Sequence, residues 1–187
     1  MSSPQTEPGA SPTGLLDRYL GPDATTLDRL RVALAAGGGA LLGLLTVPAP
    51  PLERLLLALL SAELCAGLMA ALNHSGKAWI HRPEARWPRF ALHLVWQSLV
   101  IAGFVWLFRD QDVVLLLDAC GLLVVGALAV ALAPAAAQRG VGLVALLGVM
   151  FLLQQRHGLP AAGAWFLPLC YARTFLAHLP QPRPESS

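Results

Sequence analysis

Apolar runs nearly free of charge alternate along this chain with short clusters of proline, glycine and charged residues. The first run, Leu30 to Val47, is stopped by the proline-rich VPAPP, and the second covers Leu55 to Leu72. The third is Phe90 to Phe108, and the fourth is Val113 to Ala133, closed by Pro134. Two shorter runs follow, Val141 to Leu153 and Leu159 to Ala172, the latter interrupted by Arg173. A helix on the surface of a soluble domain carries polar residues at a 3.6-residue period, and these runs do not. Barrel strands would alternate apolar and polar positions at period two, which is equally missing. The pattern predicts helices buried in lipid. Because a span needs about 20 residues to cross a ~30 Å hydrocarbon core, the last two runs read as short spans extended by their flanks or as a re-entrant hairpin.

Composition agrees with the pattern. Of 187 residues, 56% are hydrophobic and only 13% charged, against about 25% charged in an ordinary soluble domain. Mean hydropathy is +0.59. The expected fold class is all-α: a polytopic integral membrane bundle of about six transmembrane helices, or five plus a re-entrant segment. Residues 1–26, rich in Pro, Ser, Thr and Gly, read as a flexible cytoplasmic tail with one short interfacial helix around Leu15 to Leu20. They lack the basic and apolar blocks of a cleaved signal peptide. Residues 27–178 form a single transmembrane domain, and 179–187 a short cytoplasmic tail.

Charge adds orientation. With the N-terminus in the cytoplasm, the inside segments hold Arg18, Arg29, Arg31, Lys77, Arg82, Arg86, Arg89, Arg139, Arg173 and Arg183, and the outside only Arg54, Arg109 and Arg156. The positive-inside rule then places both termini in the cytoplasm. It also makes the stretch between the second and third spans the main cytoplasmic loop, with Trp79 and Trp87 as interfacial anchors. Its Lys77, Arg82, Arg86 and Arg89 are candidates to face anionic lipid headgroups, at about 1 kcal/mol per charge. Nucleic acid is not an expected partner, since the net charge is only +2 and no basic helix or base-stacking platform accompanies the patch.

Ionisable residues inside spans are costly, so each carries a functional hypothesis. Glu63 lies near the middle of the second span, and helical spacing puts Gly67, Ala70 and His74 on its face, with Asn73 beside them. His93 and Gln97 share a face of the third span. Asp118 lies near the outer end of the fourth, and Arg173 and His178 close the sixth. Glu63, His93, Gln97 and Arg173 are predicted to line one cavity opening to the cytoplasm, with Asp118 nearer the opposite surface. Ala35, Gly39 and Gly43, four residues apart, allow close approach of a neighbouring helix, of another membrane subunit or of a second copy of the chain. Cys65, Cys120 and Cys170 are dispersed one to a span, which fits small buried hydrophobes and not a disulfide framework. The histidines lack metal-binding spacing. His93 and His178, both near the cytoplasmic face, are a pair that could face each other across a haem, and no cofactor is expected.

Three functional classes follow. The first is a small transporter, or the membrane-embedded substrate-binding component of one, for a small or lipophilic solute, with Glu63 as its protonatable site. The second is an accessory or assembly subunit of a membrane complex, in which the polar residues fix packing. The third is an enzyme applying acid–base chemistry to a lipidic or isoprenoid substrate, with Glu63 or Asp118 as the acid or base and Trp96 and Trp106 lining an apolar pocket.

Overall fold

The computed structural model of the chain describes residues 20–21, 24–73, 75, 86–159 and 164–179, with the backbone alone for Arg86 and Trp87. The helices are α1 (Thr26–Thr46), α2 (Pro51–Leu72), α3 (Arg86–Phe108), α4 (Val113–Leu132), α5 (Gln138–His157) and α6 (Phe166–Ala172). The last passes without a break into a π-helical turn, Arg173–His178. The first five are each long and apolar enough to cross a membrane. The expectations for the interfacial helix before Leu20, for the loop residues His74, Lys77, Trp79 and Arg82, and for both terminal tails lie largely or wholly outside the described residues.

Local chemistry sets the helix ends. Thr25 opens α1 with a capping box: its hydroxyl accepts from the Asp28 amide, and the Asp28 carboxylate accepts from the Thr25 amide, both at 3.1 Å. Pro51 occupies the first turn of α2, where its missing N–H costs nothing. Asp112 caps α4 by accepting from the Leu115 amide at 2.9 Å. Gly158 ends α5 in the left-handed region, at φ 54°.

One boundary departs from the sequence expectation. The sixth apolar run starts at Leu159 and is interrupted at Arg173, whereas the helix starts later, at Phe166, and carries Arg173 through to His178, the residue expected to close the span. The physical reason is that Arg173 meets a carboxylate inside the bundle and has no need to reach an aqueous surface. At 1.5 Å per residue this helix is roughly 20 Å long, too short to cross ~30 Å of hydrocarbon alone.

Its shortness is tolerated because it lies at the centre. Phe166, Leu167, Cys170, Tyr171 and Phe175 are all fully buried, and α2, α3, α4 and α5 all pack against α6 or its π turn. Gly142 of α5 lies against the Phe175 carbonyl, and Gly126 of α4 against its ring, so bare backbone forms part of the seat. Tyr171 donates its hydroxyl to the Ala119 carbonyl at 2.9 Å, and Phe104 stacks on Phe166 with centroids 4.5 Å apart. α1 stands at the periphery. Its Gly39 and Gly43 press on the α2 backbone at Ser61, Leu57 and Ala58, so the close approach anticipated for these glycines is made to the next helix of the same chain. Leu45, Leu132 and Val144 point outward and are largely exposed, as lipid-facing side chains are.

The connections run antiparallel, giving the bundle two ends. Thr25, Asn73 and His178 lie towards one, here the near end, where Ser75 donates to Asp28 at 3.2 Å. Thr46, Asp112 and His157 mark the far end, where the Trp165 indole donates to Thr46 at 3.0 Å.

Candidate functional site

The polar residues of three helices converge at mid-depth. Glu63, halfway along α2, accepts from the Arg173 Nη1 at 2.6 Å and from the Trp96 indole at 3.0 Å. Both its carboxylate oxygens are therefore engaged. The Arg173 side chain is 6% exposed and that of Glu63 20%. The guanidinium lies against Gly67, one turn along α2 from Glu63, where any side chain would collide with it. Glu63 and Gly67 thus act as a unit: the carboxylate supplies the charge and the glycine the room. Removing one partner of such a pair strands the other charge, at a cost of about 3–5 kcal/mol.

A second layer lies towards the near end. The Thr174 hydroxyl donates to the Cys170 carbonyl at 3.1 Å, which uses its single proton. With that proton on the Cys170 carbonyl, the 3.2 Å contact between Thr174 Oγ1 and His93 Nε2 has His93 as donor, which corresponds to the tautomer with its proton on Nε2. The His93 ring stacks on His178, with centroids 3.6 Å apart and planes 9° from parallel. Rings in direct contact leave no gap for a porphyrin between them. The π turn makes these meetings possible. The Leu179 amide reaches back to the Thr174 carbonyl at 3.1 Å, a five-residue step that shifts His178 off the α-helical register.

Gln97 lies one turn from His93 on the same face of α3. That face reaches α6 at Phe104–Phe166 on one side of Gln97 and at His93–Thr174 on the other. Gln97 is fully buried, and among the described residues neither Oε1 nor Nε2 has a hydrogen-bond partner. Asn73, at the near end of α2, is 7% exposed with its Nδ2 also unpartnered among the described residues. A buried amide without partners is destabilising, and native proteins retain few.

Asp118 belongs to a separate cluster at the far end. It accepts from Arg156 Nη1 at 3.2 Å through Oδ1 and from His157 Nε2 at 2.8 Å through Oδ2. The structure therefore brings Glu63, Arg173, His93 and Gln97 to the contact faces of α2, α3 and the π turn, and keeps Asp118 apart. His74, Lys77 and Arg82 lie outside the described residues, while Arg86 and Arg89 occupy the first turn of α3. Thr174, which completes the second layer, was not named as a site residue from the sequence, and Trp96, named only as lining an apolar pocket, completes the first by donating to Glu63. The only signal for Thr174 was its place next to an intramembrane arginine. Among the described residues, no group of three or more His, Cys, Asp or Glu side chains is placed to hold a metal ion.

Five span-length helices, four of them packed around a buried short sixth, define a multi-pass helical membrane protein with a polar centre. Compared with known protein families, with curated proteins and with solved structures, the chain finds no match in any of the three.

Proposed function

We propose that this chain is a membrane-embedded solute-binding protein, a small transporter or the substrate-binding component of one, whose binding point is the polar layer of α2, α3 and the π turn. The observation that carries the proposal is Gln97, a fully buried side chain presenting one unpaired acceptor and one unpaired donor group. A solute with a donor and an acceptor side by side, such as an amide or a carboxylic acid, satisfies both. Glu63 and Arg173 supply a charge pair that opens when a proton or a charged solute competes for one partner. The π turn, a feature frequent at functional sites, carries Arg173, Thr174 and His178 to the layer.

In this account the near end faces the cytoplasm. With Arg173 assigned to the bundle interior, nine basic residues remain on the near side against three on the far side, which still follows the positive-inside bias. Lys77, Arg82, Arg86 and Arg89 then face anionic headgroups. Enzymatic chemistry on a carboxylate pair is the weaker reading, because Glu63 and Asp118 belong to different clusters at different depths.

Thermal unfolding of the purified chain in detergent, with acetamide, glutamine and lactate in turn, tests the proposal. At least one should stabilise the wild type, by about 2.7 kcal/mol at a hundredfold excess over its Kd, and leave Gln97→Leu unmoved. No response to any of them, or an equal response in both proteins, contradicts it.

A further inference from the structure

The far-end cluster opens onto a groove between α4 and α5 lined by Leu117, Asp118, Gly121, Leu122, Leu152 and Arg156, with a volume of about 220 Å³. That is below the roughly 300–1,000 Å³ of pockets for drug-sized ligands. The groove exists because Gly121 carries no side chain: a Cβ built there would meet no atom within 4 Å. Leu117 and Leu152 on its rim are 68% and 44% exposed, so its walls continue into the lipid-facing surface. Asp118 sits little more than one turn into α4, and Arg156 in the last turn of α5, which puts both charges near headgroup depth.

The charge pattern selects the occupant. The Arg156 side chain is 60% exposed and uses only Nη1 towards Asp118, so the outer edge of its guanidinium fork can take a phosphate. The Asp118 carboxylate accepts from Arg156 and His157 and has lone-pair capacity for a further donor. We infer that this groove holds the headgroup of a phospholipid with a primary ammonium, as in phosphatidylethanolamine: phosphate on Arg156, ammonium on Asp118, and an acyl chain along Leu117, Gly121 and Leu152. A trimethylammonium group has no N–H to give Asp118, and an anionic glycerol headgroup brings no cation.

Native mass spectrometry of the full chain, titrated with dioleoyl phosphatidylethanolamine, phosphatidylcholine and phosphatidylglycerol, tests the inference. The ethanolamine lipid should bind about tenfold more tightly than the choline lipid, as expected for loss of one charge-assisted hydrogen bond. Asp118→Asn should largely erase that preference. Gly121→Leu, whose side chain enters open space, should weaken the ethanolamine lipid about tenfold by filling the groove. Equal binding of the ethanolamine and choline lipids, tighter binding of phosphatidylglycerol, or a folded Gly121→Leu protein with undiminished binding would overturn it. If a variant does not fold, the three-lipid comparison on the wild type decides.

Discussion

A buried side-chain amide with both atoms unpaired carries a desolvation cost of about 1–3 kcal/mol, and Gln97 carries it fully buried inside the bundle. Gln97→Leu should therefore raise the stability of the unliganded protein by about that amount, read as a higher thermal midpoint; a lower midpoint would mean that the amide has a structural partner. At this scale the sequence was informative, because an ionisable or amide side chain inside an apolar run stands out. Glu63, His93, Gln97 and Arg173 were all found that way. Their partners were not legible. Trp96 reads as an apolar pocket wall until its indole is seen on Glu63, and Thr174 owes its role to a π-helical register that no local pattern announces.

Among the elements, α6 matters most and was read least well. Apolarity placed a helix near its position and Arg173 in a cavity with Glu63, but counting Arg173 among the cytoplasmic charges assumed water beside it, whereas Glu63 of a helix distant in sequence supplies the counter-charge. The glycines that seat α6 were equally hidden, since Gly126 and Gly142 resemble lipid-facing Gly140 and Gly148 in sequence. Their surroundings differ: a side chain at Gly142 collides with the Phe175 backbone, while one at Gly148 meets nothing within 4 Å. Gly142→Val should destabilise the protein by about 1–3 kcal/mol, as overpacking does, and Gly148→Val by much less. Thermal unfolding of the two variants in the same detergent makes the comparison, and equal effects would argue against a central α6.

For the whole molecule, the apolarity of the long helices followed from the sequence, which left open six spans or five plus a re-entrant segment, while the arrangement of a short helix surrounded by four of the five long ones did not. Apolar periodicity marks what faces lipid, and it is silent about which helix is surrounded. The same arrangement frames the functional question, because a charge pair at the centre of a bundle is either packing or machinery. Replacing both charges together separates the two, since well-packed apolar residues in place of a buried ion pair are often neutral or stabilising. The decisive measurement is complementation of a deletion strain by Glu63→Met/Arg173→Met, with its thermal midpoint recorded alongside. The account predicts a double variant at least as stable as the wild type that fails to complement. A stable double variant that complements fully would show that Glu63 and Arg173 only hold the helices together.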